Sequence, residues 1–369
     1  MQQRRGITAP MALPSAETNR IFWIDVLRGL AIILMIPANM APYLAEPHPM
    51  LYRFFGSFAA PIFIMLSAGM VALRAEKHSF GYYLKRGFYV VLFGVLLDVL
   101  LWKILPFTSF DVLYTIGAGM VVVYAFRKVP VPGLLGIALV IFVAAFAALK
   151  IFGYNETVLE VYYLEEFYIP DFGRLLQSWF IDGWFPILPW IGFAILGAAF
   201  FTFSFNRRIT TPSYEFLTSG LVFTLLGLLL FYIPIEGYPN FASGDIIDIR
   251  GGYSEIFYPA SPAYIVCAIG VFLFLVWAVA RLRKNPLTEI VAFFGKYSML
   301  VYLTHQIIGA VLIEPFIGAF GVETITIGWF FTLANIIVVI IVFFICYIID
   351  TLKKDFTVRS VFLQILIGK

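Results

Sequence analysis

Apolar residues run along this chain in stretches of about twenty that recur almost without a break. A helix of that length spans the hydrocarbon layer of a bilayer, which is roughly 30 Å thick. The strands of a membrane barrel would instead alternate apolar and polar residues over about ten positions. Because only helices and closed barrels are stable across lipid, the pattern predicts about ten transmembrane helices. They cover residues 21–45, 50–74, 84–105, 109–126, 131–152, 184–205, 213–235, 259–282, 289–313 and 325–349.

The composition supports this interpretation. Of the 369 residues, 62% are hydrophobic and only 13% are charged, whereas soluble domains carry about 25% charged residues. A single core in water could not cover so much apolar surface. We therefore predict an all-α, polytopic transmembrane bundle over residues 20–369, preceded by a short tail over residues 1–19. No nucleic-acid partner is expected.

Basic residues fall in every second connection between the predicted helices. They are Arg4, Arg5, Arg20, Arg74, Lys77, Lys85, Arg86, Arg127, Lys128, Arg207, Arg208, Arg281, Arg283, Lys284, Lys353, Lys354 and Arg359. The two long connections between them, over residues 153–183 and 236–258, are acidic. Because cytoplasmic loops carry an excess of Lys and Arg, this pattern predicts that both termini lie in the cytoplasm and the acidic loops outside.

Asp25 and Arg28 lie inside the first apolar run, where ionisable side chains are costly and often functional. Three positions apart on a helix, they share one face and can pair. One interpretation is an ion pair that holds the cytoplasmic end of the helix. The other is that Arg28 binds an anionic ligand from the cytoplasm, because a guanidinium group fits phosphate well. Gly29 would allow a neighbouring helix or a ligand to come close.

Polar residues also mark the far end of this helix. Asn39 lies eleven positions after Arg28, about 16 Å along a helix, so the two residues mark opposite ends of one path. His48 follows in a proline-containing outer turn and is either only solvated or functional. His305 lies in the ninth run, as a packed side chain or as part of a site. Cys267 and Cys346 both sit in apolar runs, and we expect buried side chains and no metal site.

Four stretches resemble one known family in the same order along the chain. Residues 20–35, followed by Asn39, resemble the first catalytic-domain helix of the heparan-α-glucosaminide N-acetyltransferase family, a group of transmembrane acyltransferases. Residues 61–69, 185–190 and 297–305 agree with it as well. The Asp-x-x-Arg-Gly segment in the first helix is the most specific part, because lipid-facing helices avoid such residues.

The resemblance implies transfer of an acetyl group from acetyl-CoA, bound from the cytoplasm, to an amine or hydroxyl of a saccharide on the outer side. The family's active-site asparagine falls on Asn39, and its outer-side histidine falls on His48. The family member that acts on heparan has glycines after the asparagine and a larger lumenal portion. Here Met40, Ala41 and Pro42 follow Asn39 and no large outer domain is expected, so heparan itself is not the expected acceptor.

These implied roles define a mechanism. His48 would be the base, because imidazole titrates near neutral pH, or it would carry an acetyl-histidine intermediate. Asn39 would donate to the thioester carbonyl or orient the imidazole. The side chains expected around acetyl-CoA are Asp25, Arg28, Gly29, Lys85 and Arg86 at the cytoplasmic mouth, and His305 at the outer end of the pantetheine arm.

Two other classes of function remain open. A transporter or flippase would use Asp25, Arg28, Asp98 and His305 as a substrate or proton path. A structural scaffold would tolerate replacement of Asn39 and His48. The expected surroundings are a lipid bilayer, and the expected location is the plasma membrane. The acceptor and the oligomeric state, a homodimer included, are left open by the sequence.

Overall fold

The computed structural model describes residues 21–154, 161–166, 168–206, 213–249, 254–321, 323–352 and 360–366. The predicted tail over residues 1–19 lies outside these described residues. Helix accounts for 75% of the structure, and two isolated β-bridges are the only strand-like pairing within the described ranges. The predicted all-α fold class is therefore confirmed.

The α-helices of the described ranges are numbered here in chain order. They are α1 (Phe22–Asn39), α2 (Met50–Ser57), α3 (Ala59–Arg74), α4 (Phe80–Leu96), α5 (Val112–Ala125), α6 (Val131–Phe152), α7 (Phe172–Gln177), α8 (Ile187–Asn206), α9 (Tyr214–Leu230), α10 (Pro262–Val279), α11 (Pro286–Lys296), α12 (Ser298–Ile308), α13 (Glu314–Ala319), α14 (Gly328–Leu352) and α15 (Val361–Leu366). Short π-helical segments follow α4, α7 and α12, over Leu97–Trp102, Ser178–Asp182 and Gly309–Ile313.

Each of the ten predicted apolar runs coincides with a helix or with a pair of consecutive helices. Seven helical segments of the described part are long and apolar enough to cross a bilayer, and α5 and α9 are shorter apolar helices. The protein is thus an integral, multi-pass membrane protein. The number of crossings and the cytoplasmic location of the termini stay predictions.

The helices α6, α9 and α14 form the apolar outer surface of the bundle. Large hydrophobic side chains stand exposed along each of them, among them Leu139, Val140, Val222, Leu229 and Ile340. In water so large an exposed apolar surface would be unfavourable, whereas lipid tails cover it without cost. We expect these faces to contact the bilayer.

The second predicted run is divided into α2 and α3 at Phe58, where the sequence pattern indicated one continuous helix. Pro61 has no N–H to donate to the carbonyl of Ser57, and its ring crowds that carbonyl. The Ser57 carbonyl oxygen instead accepts a hydrogen bond from the Tyr264 hydroxyl of α10, at 2.7 Å. The break therefore ties the start of α3 to α10.

Gly29 and Gly295 bring the backbones of α1 and α11 into contact. A Cβ atom on Gly29 would lie 1.8 Å from the carbonyl oxygen of Val291, and one on Gly295 would lie 1.9 Å from that of Asp25. Small residues at such crossings let helices approach closely. Of the two expectations for Gly29, the structure shows the close neighbouring helix.

Candidate functional site

Two cavities in the described part of the bundle contain residues predicted from the sequence, and we name each after one of those residues. The Asn39 cavity has a volume of about 380 Å³ and is lined by the C-terminal end of α1, the start of α3, the segment Leu97–Trp102 and the loop before α10. The Arg28 cavity has a volume of about 360 Å³ and is lined by the N-terminal end of α1, the end of α3, and α4. Arg28 and Asn39, which the sequence places at opposite ends of α1, thus lie in different cavities.

The two cavities lie close together along the same helices. On α3, Ala60 lines the Asn39 cavity and Phe63 lines the Arg28 cavity. On α12, Tyr302 lines the Asn39 cavity and Met299 lines the Arg28 cavity. Three residues of helix correspond to about 4.5 Å. The septum between the cavities is therefore about one helical turn thick along these two helices.

Asn39 is the last residue of α1, and its side chain meets His305 of α12. The Asn39 Nδ2 and His305 Nε2 atoms are 2.9 Å apart. His305 Nδ1 lies 2.8 Å from the Val301 carbonyl oxygen, which can only accept, so Nδ1 carries the proton and Nε2 accepts from the Asn39 amide. This bond fixes the orientation of the amide, because a flipped Asn39 would point its oxygen at the lone pair of Nε2.

The Asn39 cavity is acidic. Asp98, Asp111, Glu255 and Glu314 line it, and no Lys or Arg does so within the part of the chain that the structure describes. Asp98 is buried and accepts hydrogen bonds from the hydroxyls of Tyr114 and Ser109. Asp111 caps α5 and accepts from the Tyr302 hydroxyl at 3.1 Å. The Tyr43 hydroxyl lies 3.5 Å from Glu314. A cation is the ligand that such a wall attracts.

Glu255 lies in the loop between α9 and α10, outside the membrane-spanning helices. Burial raises the pKa of this carboxyl from 4.5 to about 7, against the opposing effects of Arg53 and nearby backbone N–H groups. Its Oε2 atom is buried and makes no hydrogen bond to any described residue. A carboxyl with a pKa near neutral pH can take up or release a proton under ordinary conditions.

Aromatic side chains complete the wall of the Asn39 cavity. Tyr163 and Trp184 come from the long acidic connection after α6, and Phe257 and Tyr258 from the loop before α10. The faces of such rings can pack against a sugar. Two of the rings in this wall thus come from the connection between α6 and α8.

His48 does not line either cavity. Its side chain is 6% exposed. Its Nε2 atom lies 2.8 Å from the Leu44 carbonyl oxygen and must donate to it, so its Nδ1 accepts the short hydrogen bond from the Ser254 hydroxyl. Both ring nitrogens are therefore engaged behind the cavity wall, next to the residue that precedes Glu255.

The Arg28 cavity is basic. Arg28, Arg74, Arg86 and Lys296 line it, and Asp25 is the one carboxylate among its described lining residues. Arg28 pairs with Asp25 at 3.4 Å. Lys296 pairs with Asp350 at 2.8 Å. Four cations therefore face two carboxylates, and the net positive charge that remains suits an anion such as phosphate.

His78 also lines the Arg28 cavity, where its ring stacks on Tyr82 at 4.1 Å between centroids. Partial burial and the nearby Arg74, Arg86 and Lys77 lower the pKa of His78 below its usual value. Burial is the largest cause of this shift, and the nearby cations act in the same direction.

The residues predicted to bind acetyl-CoA thus lie in different parts of the structure. Asp25, Arg28 and Arg86 line the Arg28 cavity. His305 is fully buried behind Asn39. Lys85 is exposed and is absent from the described lining of both cavities, since it points about 100° away from Arg86 around the helix. Gly29 packs against α11. Across the described ranges, no group of three His, Cys, Asp or Glu side chains could hold a metal ion.

Sequence reasoning missed Arg53, which lies in the second apolar run and is only 2% exposed. Its guanidinium donates to the carbonyl oxygens of Ser254 at 2.9 Å and Asp248 at 2.8 Å. A charge inside an apolar run was a readable signal. No such signal in the sequence predicts that Asp111, Glu255 and Glu314 line the cavity, because their positions depend on how distant loops pack together.

The comparison with protein families gives one match. The model of the heparan-alpha-glucosaminide N-acetyltransferase catalytic domain matches residues 20–236, which is more than half of the chain. No curated protein matches the chain. The matched part contains α1 with both Arg28 and Asn39. The chain therefore belongs to the heparan-alpha-glucosaminide N-acetyltransferase catalytic-domain family, a family of transmembrane N-acetyltransferases.

Proposed function

We propose that this protein transfers an acetyl group from acetyl-CoA, bound on the cytoplasmic side, to an amine or hydroxyl of a saccharide on the other side of the membrane. The observation that carries the proposal is a pair of cavities of opposite charge on the same helices. One suits an anionic donor and the other a cationic acceptor. The septum between them marks where the two substrates react.

The donor would bind in the Arg28 cavity. CoA carries several phosphate groups, and Arg28, Arg74, Arg86 and Lys296 are grouped there to meet them. The same end of the bundle carries the basic connection between α3 and α4, which positive-inside reasoning assigns to the cytoplasm. The flexible pantetheine arm is long enough to carry the thioester past a septum one turn thick, to Asn39. In this proposal the membrane is the plasma membrane.

Asn39 would stabilise the charge that develops on the thioester oxygen. Its amide nitrogen has two N–H groups, and the bond to His305 uses one of them. The other is available to the Asn39 cavity, where Asn39 is a lining residue. A donor held in place before the reaction stabilises an oxyanion without the cost of reorganisation. His305 is then a positioning residue for the amide.

Among the acceptors, we favour an amine over a hydroxyl. A saccharide amine is protonated in solution near neutral pH, and the four carboxyl side chains of the Asn39 cavity would attract that cation. Tyr163 and Trp184 offer ring faces to the sugar. The acceptor must lose a proton as the new bond forms. The sequence analysis predicts that His48 accepts this proton, and that role stays a prediction.

Acetyl transfer by the purified protein in detergent tests the proposal. Labelled acetyl-CoA is supplied with glucosamine, and glucose serves as the matched acceptor without an amine. We expect label in glucosamine together with release of the CoA thiol, far less label in glucose, and weaker acetyl-CoA binding by Arg28→Ala. Acetylation of glucose in preference to glucosamine would refute the choice of an amine. Absence of acetyl-CoA binding, or binding without transfer or thiol release, would overturn the acetyltransferase and leave the transporter or flippase.

A further inference from the structure

The segment Ser254 to Ile256 is held against α2 and the turn before it by three side chains. His48 accepts a hydrogen bond from the Ser254 hydroxyl. Arg53 donates to the Ser254 carbonyl oxygen at 2.9 Å. The hydroxyl of Ser57 accepts from the backbone N–H of Ile256 at 2.9 Å. We refer to these three contacts as the 254–256 clamp.

Glu255 is the central residue of the clamped segment, and none of the three contacts uses its side chain. That side chain lines the Asn39 cavity together with Asn39 itself. Its Oε2 atom is buried and has no hydrogen-bond partner among the described residues. A buried polar atom without a partner costs free energy, and a clamp built from distant parts of the chain holds it there. Such an arrangement is typical of functional sites.

We infer that Glu255 is the proton acceptor for the acetyl transfer in the Asn39 cavity, and that His48 is a positioning residue that acts through the 254–256 clamp. This inference rests on the proposed function and concerns the same site. The acceptor nitrogen forms a bond to the thioester carbonyl carbon, the C–S bond breaks, and CoA leaves as the thiolate. The proton of the attacking N–H group passes to the Glu255 carboxylate and then to water.

The position of His48 supports this division of roles. Its Nε2 donates to Leu44 and its Nδ1 accepts from Ser254, so neither nitrogen is free to accept a proton from a ligand in the Asn39 cavity. Its effect on the cavity is exerted through Ser254, the neighbour of Glu255 in the chain. Loss of the imidazole would therefore loosen the clamp without removing the group that accepts the proton.

Several charged or titratable groups surround Glu255. Arg53 and Tyr52 approach it from α2, and Tyr264 approaches from α10. Asp98, Asp111 and Glu314 lie on the wall of the same cavity. Burial disfavours the carboxylate, whereas the cation of Arg53 and the nearby backbone N–H groups favour it. The balance leaves the pKa of Glu255 at about 7, which suits a group that must take a proton at neutral pH and release it again.

The pH dependence of kcat/KM with glucosamine and acetyl-CoA tests this inference. Activity requires both a Glu255 carboxylate and an unprotonated amine, whose ordinary pKa is about 8. Below pH 7 we expect log kcat/KM of the wild type to rise with a slope of about two. Glu255→Gln should lower kcat/KM by about 10²-fold to 10⁴-fold at pH 8, the usual range for a lost base, and its remaining activity should rise with a slope of about one.

Matched variants distinguish the loss of proton transfer from the loss of a negative charge and from misfolding. Glu255→Asp keeps a carboxylate and should keep the slope of two, with part of the activity. Glu314→Gln removes one negative charge from the same cavity and should also keep the slope of two. His48→Gln should lower activity less than Glu255→Gln and keep the same slope as the wild type. Acetyl-CoA binding, measured for every variant, reports that the protein is folded.

The outcomes distinguish the inference from the proposed function. If the wild type transfers acetyl to glucosamine and Glu255→Gln keeps both its rate and a slope of two, Glu255 is not the proton acceptor. A loss of one unit of slope in His48→Gln with none in Glu255→Gln would return that role to His48. If the wild type shows no transfer at all, the acetyltransferase proposal itself is refuted, and the inference falls with it.

Discussion

The Asn39 and Arg28 cavities use the same helices but carry opposite charge. Carboxyl groups line the first, and arginine and lysine side chains dominate the second. The basic residues of the Arg28 cavity would be expected at a cytoplasmic helix end even without a ligand. Their convergence around one cavity is what the orientation rule does not explain. No such rule supplies carboxyl groups to the Asn39 cavity, so the acidic cavity is the stronger sign of function.

The separation of charge also has a chemical meaning. A donor rich in phosphate is attracted to one end of the bundle and repelled from the other, and a protonated amine behaves in the opposite way. The two substrates would then meet only across the septum. Each of the following experiments alters one of the two cavities, in order of decreasing expected effect.

The largest effect of these three is expected in the Asn39 cavity. Asn39→Ala removes the amide that would stabilise the oxyanion, and kcat should fall by about 10²-fold to 10³-fold, as for the loss of one such donor in other enzymes. The dissociation constant of acetyl-CoA, measured by calorimetry, should stay near that of the wild type. Asn335→Ala is the control, since Asn335 is a buried amide on α14 that lines neither cavity. Equal rates for the two variants would exclude the proposed role of Asn39.

A smaller effect is expected in the Arg28 cavity. Arg86→Gln removes a cation from the cavity and should weaken acetyl-CoA binding about tenfold, equivalent to about 1.4 kcal/mol. Lys85→Gln removes the same charge from the next position, where the side chain is exposed and faces away. Its binding should change little. Equal weakening in both variants would mean that general charge, and not this cavity, attracts the donor.

The smallest effect concerns stability. Because the pKa of Glu255 is raised on folding, its ionisation destabilises the folded protein above pH 7, and this cost is absent below the ordinary pKa of 4.5. Glu255→Gln should therefore raise the midpoint of thermal unfolding in detergent by a few degrees (about 2–4 °C) at pH 8. The gain should disappear as the pH is lowered to about 4, beneath that ordinary value. A gain of the same size at both pH values would show that the carboxyl group is not ionised at pH 8.

Much of the fold could be predicted from the sequence, because each transmembrane helix is recorded in a local apolar run. The placement of Arg28 and Asn39 at opposite ends of one helix also followed from their spacing, whereas their division between two cavities did not. The difference between Lys85 and Arg86 was readable too, since Tyr82, Arg86 and Val90 share the face that lines the Arg28 cavity.

The chemistry of the Asn39 cavity could not be read in this way. His48 contacts Ser254, which lies 206 positions away, and Asn39 contacts His305, which lies 266 positions away. Neither pairing leaves a local pattern in the sequence. The position of Glu255 depends on the packing of its loop against α2, and the same residue in a loose outer loop would have been an ordinary solvated carboxylate.

The contact between Gly29 and Gly295 determines where this chain can be truncated for expression. The family match ends at residue 236, yet α1 packs against α11, and Asn39 bonds to α12, beyond that boundary. A fragment truncated at the match would leave Asn39 without its histidine and α1 without the helix it touches. We therefore expect that the matched segment alone does not fold as it does in this chain, and that expression of the catalytic part requires the C-terminal helices as well.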